Sequence, residues 1–330
     1  MNRRKFIVVA SGASVLLSLG PLAARAQRPK VAVIGFLNSG SGAPFAQYVA
    51  GFLKGLSESG FVVERNVQIE YRWAEGRYDR LPMLAADLVE RSVDLIVATG
   101  GEPSGQAAKA ATSQIPIVFA AGGDPVKAGL VSSLNRPSGN LTGISQFTYS
   151  LEAKRLGLLH EMAPAADPVA VVFNRNNPNA PDQLKDLQEA ASQAGVRLLL
   201  LPVSSEADLD PLFTSLVEKQ VKAVLIGADP FFNARRAQVV ALAARAKIPA
   251  MYEFREFAAA GGLMSYGSNL VDGYRQVGVY AGRILNGAKP AELPVLQPTI
   301  FELVINLRTA RELAIEVPPM LLARADNVIE

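Results

Sequence analysis

The 330-residue sequence contains no cysteine and a single histidine, His160. Without cysteine the chain has no disulfide, no thiolate nucleophile, no thiolate ligands for an iron–sulfur cluster and no lipid-modified cysteine. His160 lies in a segment with helical periodicity, where a lone histidine is usually a surface or packing residue. These absences argue strongly against histidine-based zinc sites and Ser-His-Asp triads. We therefore predict no catalytic residue and no bound metal.

The sequence also lacks an excess of charge once its first segment is set aside. Four of the 33 Lys and Arg residues, and none of the 30 Asp and Glu residues, lie within the first 26 positions. The remaining 29 basic side chains face 30 acidic ones and form no basic run. This balance gives no electrostatic footprint for nucleic acid, so we expect no nucleic-acid partner.

Motifs that bind nucleotides or build a serine nucleophile are missing. In GFLNSGSGAPF two glycines follow a strand and precede a helix, but Phe45 stands where a dinucleotide fingerprint needs a third glycine. The sequence has no Gly-Lys dipeptide, hence no phosphate-binding Walker motif, and no Gly-x-Ser-x-Gly pattern. We predict no cofactor.

Residues 1–26 have the pattern of an export signal. A basic start precedes the apolar stretch from Phe6 to Leu19, and Ala24-Arg25-Ala26 provides a small-x-small cleavage pattern before Gln27. The start NRRKF resembles a twin-arginine export signal. No other segment approaches the length of a membrane span. We expect a periplasmic protein cleaved after Ala26, with no direct membrane insertion after cleavage; an uncleaved anchor is the alternative.

Apolar segments of strand length alternate with amphipathic helical segments, and the order repeats. Strands predicted to begin at 31, 93 and 115 have counterparts beginning at 169, 221 and 248. Continuous Val/Ile-rich strands joined by helices are typical of a parallel sheet covered on both faces. The fold class predicted is therefore α/β, with two doubly wound parallel-sheet lobes and a cleft between them.

In such sheets a ligand binds beyond the carboxyl ends of the strands. The turns there carry hydroxyls, amides, acids and glycines at predicted helix starts, where free N–H groups bind anions. Acidic side chains in the same turns suit a ligand ammonium, and aromatic residues at strand ends suit an aromatic wall. Asp124 with Pro125 is expected to start the next helix. The predicted ligand-binding residues are Ser39, Ser41, Trp73, Thr99, Gly101, Glu102, Ser104, Gly123, Asp124, Asn174, Asn176, Asn177, Asp229, Tyr252, Glu253 and Tyr266.

Long segments of the sequence resemble the periplasmic substrate-binding components of ABC transporters, in the group related to tryptophan- and tyrosine-binding proteins. The segments that carry the resemblance are NVQIEYRWAEGRYDRLPMLAADLV, IPIVFAAGGDPVKAGLVSSLNRPSGNLTGIS, AGGLMSYG and the C-terminal GRILNGAKPAELPVLQPTIFELVINLRTARELAIEVPPMLLARADNVIE. The resemblance implies a type I periplasmic-binding-protein architecture with three crossovers at a hinge. It also implies capture of a small molecule, amino-acid-like or aromatic and carboxylated, by hinge closure.

The resemblance further implies a monomer that delivers its solute to ABC permease and ATPase subunits without catalysis. It places residues 27–145 and about 268–290 in the N-terminal lobe, and about 146–267 and 291–330 in the C-terminal lobe. Glu102 stands where relatives often carry Thr, and would repel a ligand carboxylate or capture an amine. Arg175 would instead favour an acidic solute. An exported cofactor-dependent enzyme and a ligand sensor for a membrane signalling partner remain the alternatives.

Overall fold

In the computed structural model, which describes residues 31–330, the alternating apolar segments form two separate β-sheets. The first sheet is parallel throughout, in the order β2-β1-β3-β4-β5. Its strands and the helices between them are β1 (Ala32–Asn38), α1 (Gly42–Glu58), β2 (Val67–Trp73), α2 (Leu81–Glu90), β3 (Leu95–Thr99), α3 (Glu102–Ala111), β4 (Ile117–Ala121) and β5 (Leu141–Ser145).

The second sheet repeats this order and extends it. Its strands run β12-β11-β10-β9-β8-β6-β7, and only β10 and β11 are antiparallel neighbours. Its first elements are α4 (Glu152–Met162), β6 (Val169–Asn174), α5 (Ala180–Ala194), β7 (Leu198–Val203), α6 (Leu209–Glu218), β8 (Val224–Ile226), α7 (Pro230–Ala234), α8 (Arg236–Ala246) and β9 (Ala250–Tyr252). The remaining elements are α9 (Arg255–Ala259), β10 (Met264–Ser268), α10 (Leu270–Leu285), β11 (Phe301–Asn306), α11 (Leu307–Glu312), α12 (Pro319–Leu322) and β12 (Asn327–Ile329).

The predicted fold class is confirmed in its main feature, the duplicated parallel sheet. The order β2-β1-β3-β4-β5 of the first sheet recurs as β7-β6-β8-β9-β10 in the second. The strands β3 and β4 are buried along their whole length, as expected for central strands with helices on both faces. The expected export signal, residues 1–26, lies outside the described residues.

Helix α10 packs against α1 of the first sheet although it follows β10 of the second. The two backbones approach closely because glycines stand at the contact. A Cβ atom built on Gly55 would overlap the carbonyl oxygen of Arg275, and one on Gly278 would overlap that of Phe52. The chain therefore returns from the second sheet to the first at the start of α10.

The chain passes between the sheets at three places: after β5, before α10 and before β11. Before the last passage, the N–H groups of Val295 and Leu296 donate to Leu134 and Gly143, beside β5. Within residues 31–330, no helix has the length and apolar character to cross a membrane. The exact residue bounds of the two lobes stay a prediction.

The prediction that Asp124 starts a helix is wrong. The chain after β4 makes only a hydrogen-bonded turn, in which Asp124 accepts from the N–H groups of Val126 and Lys127 at 2.8 and 3.3 Å. The turn ends at Gly129, whose φ of +69° takes the backbone out of the helical region. The buried Leu130 follows, and no helix covers this crossover.

Candidate functional site

A cavity lies between the two sheets at the carboxyl ends of their strands. It comprises about 430 Å³ of space free of protein atoms, including its opening, a size typical of small-molecule sites. Its lining residues are Phe45, Gly100, Gly101, Ala120, Ala121, Gly122, Gln146, Thr148, Tyr149, Asp229, Pro230, Asn233, Glu253, Phe254, Leu270 and Tyr274. The wall is therefore largely apolar and aromatic, with two carboxylates.

The turn after β3 forms one side of the cavity and is held by a polar network. Gly100 and Gly101 have φ values of +78° and +91°, which glycine adopts without strain. The Ser39 hydroxyl donates to the Gly100 carbonyl at 2.6 Å. The Asn38 amide donates to the Thr99 hydroxyl at 2.8 Å and to the hydroxyl of Tyr274 at 3.1 Å. The hydroxyls of Ser39 and Thr99 thus hold this turn in place.

Asp229 forms the opposite side of the cavity and is only 3% exposed. It caps the short helix α7, accepting from the N–H of Phe231 at 2.7 Å. It also accepts from the amide groups of Asn177 at 2.7 Å and Asn174 at 3.3 Å, and from the Tyr78 hydroxyl at 3.0 Å. Burial raises its pKa, while these donors oppose the rise. The result is an oriented, hydrogen-bonded carboxylate beside the cavity.

Glu253 follows β9 and lines the same cavity, but it is held differently. It is 4% exposed, and within the described part of the chain no donor is hydrogen-bonded to its carboxylate. Burial raises its pKa well above the usual range, and the charge of Arg155 opposes that rise. An unpartnered buried carboxyl is unfavourable, so this group is a strong candidate for ligand contact.

Behind the cavity, α4 contributes two buried charged residues that the sequence analysis did not single out. Arg155 is fully buried, and its Nε donates to the Tyr266 carbonyl at 2.7 Å. Its two terminal nitrogens have no partner among residues 31–330. Glu152 accepts from the Ala228 N–H at 2.8 Å, and burial raises its pKa to about 7. Both positions lie in a segment that reads as an ordinary amphipathic helix.

Glu102 is the first residue of α3 and is 2% exposed. Its carboxylate accepts from the Gly123 N–H and, at 3.2 Å, from the Asn179 amide across the cleft. Burial raises its pKa, and the Tyr149 hydroxyl and the N–H groups of Gly122 and of Glu102 itself oppose the rise. Glu102 also lines a second, more polar pocket, which contains Asp124 and is separated from the first by Tyr149.

Several contacts connect the two sheets around the cavity. Besides Tyr78 with Asp229, the Tyr48 hydroxyl donates to the Asn233 side chain at 3.1 Å. Arg236 of α8 donates to the Pro44 carbonyl at 3.1 Å. Within residues 31–330, no group of three or more His, Asp or Glu side chains is placed to hold a metal ion.

The structure brings together only part of the predicted site. Gly101, Asp229 and Glu253 line the cavity, and Glu102, Gly123 and Asp124 line the adjoining pocket. The residues Ser39, Thr99, Asn174 and Asn177 support these groups from behind, through the bonds described above. Asn176 is turned away, with its amide donating to the Ser204 carbonyl at 2.8 Å. Ser104 is buried, its hydroxyl has no partner among residues 31–330, and it does not line the cavity.

The other predicted residues lie outside the cavity. Trp73 stacks on Tyr71 at 6.1 Å and lines an open groove on the surface. Tyr252 is buried against Phe257 at 4.8 Å, and Tyr266 packs near Phe301. Ser41 precedes α1 without a capping hydrogen bond, and Asp124 is exposed in its turn.

The cavity residues that the sequence analysis missed come mainly from crossovers and from α10. Tyr149 lies in the segment after β5, so the strand-end rule would have found it had β5 been included. Tyr274 lies in the middle of α10, and no local signal connects it with a cleft. Phe45 belongs to the apolar face of α1, which reads as core.

Two parallel sheets of the same strand order, joined by three crossovers around a buried cavity, define the type I periplasmic-binding-protein fold. The chain belongs to the ABC transporter substrate binding protein family, whose sequence model matches residues 30–329. It is 29% identical over 267 residues to the tyrosine-binding protein of Clostridioides difficile (strain R20291), covering 80% of this chain and 75% of that protein.

Solved structures agree with this assignment. A conserved domain protein from Vibrio cholerae superposes with a TM-score of 0.82 at 27% identity, covering 91% of this chain and 100% of that one. An ABC domain from Streptococcus pneumonia in complex with L-Trp gives a TM-score of 0.79 at 27% identity, covering 90% and 99%. The resemblance noted in the sequence is thereby confirmed. Proteins of this family bind small solutes and work with an ABC permease.

Proposed function

We propose that this protein is the solute-capturing component of an ABC import system and that it holds a small amine-bearing solute between its two lobes. The observation that carries the proposal is the pair of buried carboxylates, Asp229 and Glu253, which line one cavity between the sheets. Burial disfavours the charged form of both acids, and a ligand ammonium would offset that cost at both groups.

The rest of the cavity suits a solute with an aromatic or apolar body. Phe45, Phe254 and Tyr274 supply flat apolar surface, and the glycines after β3 and β4 let a ligand approach the backbone. Relatives named for tyrosine and found with L-Trp support a solute of about this size. The amino-acid-like solute expected from the sequence is consistent with this shape.

Capture proceeds by hinge closure. The chain crosses between the sheets at three places, and the bonds from Tyr78 to Asp229 and from Tyr48 to Asn233 connect the two sides. Separating the sheets breaks these few bonds and exposes the carboxylates to water, so the ligand-free protein opens. A solute that bridges both sides favours the closed arrangement.

The physiological setting is part of the same proposal. We propose a periplasmic monomer that is exported by its first 26 residues and delivers its solute to permease and ATPase subunits. We also propose that it performs no catalysis, since its family consists of substrate-binding proteins.

Mass spectrometry of the small molecules released by denaturing purified protein tests this function. The released solute, added back to ligand-free protein, should bind in calorimetry at one site per chain and raise the melting temperature. Protein that releases no solute, and that responds to none in a screen of amines, amino acids and organic acids, would contradict the proposed function.

A further inference from the structure

A carboxylate of the protein itself stands at the start of α3, beside the turn after β3. The N-terminus of a helix favours a negative charge, and α3 begins directly after Gly101, which lines the cavity. Glu102 is the first residue of that ten-residue helix, and its carboxylate accepts from the Gly123 N–H. The N–H groups of Gly122 and of Glu102 itself also oppose the rise of its pKa.

Hydrogen bonds from both sides of the cleft hold the Glu102 carboxylate in place. Asn179 from the second sheet donates to its Oε2 at 3.2 Å, while the Gly123 N–H donates to its Oε1. Tyr149 stands beside it and separates it from the main cavity. A ligand carboxylate directed at this end of the cavity would find the Gly123 N–H already hydrogen-bonded and a second carboxylate on the far side of Tyr149.

The described part of the cavity wall also offers no cation that could stabilise a ligand carboxylate. Among the described residues that line it there is no Lys, Arg or His, whereas Asp229 and Glu253 both carry carboxylates. Arg155 lies behind Glu253 rather than on the cavity wall. The acidic groups that line the cavity are thus not balanced by a basic side chain among the described residues of its wall.

From this arrangement, we infer that the preferred solute is a cationic amine that carries no carboxylate group. The inference rests on the proposed function and specifies the ligand class of the same cavity. An amino acid would bring its ammonium to Asp229 and Glu253 but would place its carboxylate among acids. The corresponding amine keeps the favourable contact and removes the repulsion.

Calorimetry with two matched series tests the inference on the full mature chain. The first series is tyramine, L-tyrosine and 3-(4-hydroxyphenyl)propionate, and the second is tryptamine, L-tryptophan and indole-3-propionate. At least one amine should bind about tenfold or more tightly than its amino acid, a ratio expected from one like-charge contact in a partly buried site. The two acids should show no binding.

An amino acid that binds as tightly as its amine, or a panel in which no amine binds, would overturn the inference. The amine-bearing solute of the proposed function stands in that case if the protein binds an amino acid or another amine. The solute-capturing role fails separately, and only, if no solute of any class binds.

The Glu102→Gln variant provides a second test of the inference, because it keeps the shape of the side chain and removes its charge. The ratio of L-tyrosine affinity to tyramine affinity should rise about tenfold. The matched control is Glu90→Gln, an exposed position at the end of α2, where the ratio should not change. Because both affinities are measured on the same folded sample, a loss of stability does not alter the ratio. An unchanged ratio in Glu102→Gln would contradict the role given to Glu102.

Discussion

Asp229 and Glu253 face the same cavity but are held in different ways. Asp229 is surrounded by donors from Asn174, Asn177, Tyr78 and the backbone, so its orientation is fixed before a solute arrives. Within residues 31–330, Glu253 has no such donors, and burial raises its pKa well above the usual range. A ligand ammonium would lower that pKa by stabilising the charged form. We therefore propose that Asp229 positions the solute and that Glu253 gains its partner on binding.

Replacing Asp229 with Asn tests the first of these roles. The variant keeps the size of the side chain but removes the charge, and its amide opposes the donors of Asn177 and Tyr78. We expect the affinity for the solute recovered from wild-type protein to fall about 30-fold or more in calorimetry, the scale of removing one partner of a buried charge pair. Asp210→Asn, at an exposed ion pair with Arg245, is the control and should bind normally. Wild-type affinity in Asp229→Asn would contradict the role.

Glu152 makes the stability of the protein depend on pH. Burial raises its pKa from 4.5 to about 7, so the folded state holds this proton at pH values where the unfolded chain has lost it. The stabilisation is complete below the unfolded pKa and is lost as the pH rises through about 7.

The Glu152→Gln variant remains neutral and should lack this dependence. Between pH 4.5 and 7, the free energy of unfolding of the wild type should fall relative to the variant by about 3 kcal/mol, measured by urea denaturation. Parallel pH profiles for the two proteins would show that Glu152 does not titrate as the structure indicates.

At the level of the elements, the packing of α10 on α1 fixes α10 against the first sheet, although α10 follows β10 of the second sheet. Gly278→Ala should destabilise the protein by about 2 kcal/mol or more, since its Cβ would overlap the Phe52 carbonyl in a backbone-to-backbone contact. Gly157→Ala in α4 is a matched control, because nothing lies within 4 Å of the added Cβ. That change should stabilise by about 0.5–1 kcal/mol through helix propensity. Equal effects of the two substitutions on the urea midpoint would contradict the packing described.

The strands could be predicted from the sequence because apolar content and spacing are local properties. Which side chains reach the cavity depends instead on their alternation along a strand and on where the chain crosses back to the first sheet. At the end of β9, Tyr252 and Glu253 are neighbours, yet successive side chains point to opposite faces. Tyr252 therefore packs on Phe257, and Glu253 lines the cavity. Trp73 lies on an edge strand, two residues after Tyr71 on the same face, and so faces the outer groove.

The cavity contact of Tyr274 and the turn at Asp124 could not be predicted from the residues next to them in the sequence. Tyr274 reaches the cavity only because α10 crosses back to α1, and nothing in its own segment shows this contact. Asp124 has the residues of a helix start, but Gly129 and the buried Leu130 end the turn before a helix forms. Helix starts are favoured by a capping acid and a following proline, but continuation depends on the residues beyond.

At the scale of the whole molecule, we propose that the two sheets close on each other only when the solute lies between them. Two of the polar contacts that join the sides, Tyr78 with Asp229 and Asn179 with Glu102, end on buried acids. Burial is unfavourable for such groups, and opening the cleft exposes them to water. We therefore expect an open ligand-free state and a closed bound state.

Small-angle X-ray scattering of the ligand-free protein, before and after saturation with its solute, shows whether the two lobes close. We expect the radius of gyration to decrease on saturation, in step with the binding curve measured by calorimetry. In Asp229→Asn, the decrease should require a correspondingly higher solute concentration. Superimposable scattering curves at a concentration where calorimetry shows full binding would contradict capture by closure of the two lobes.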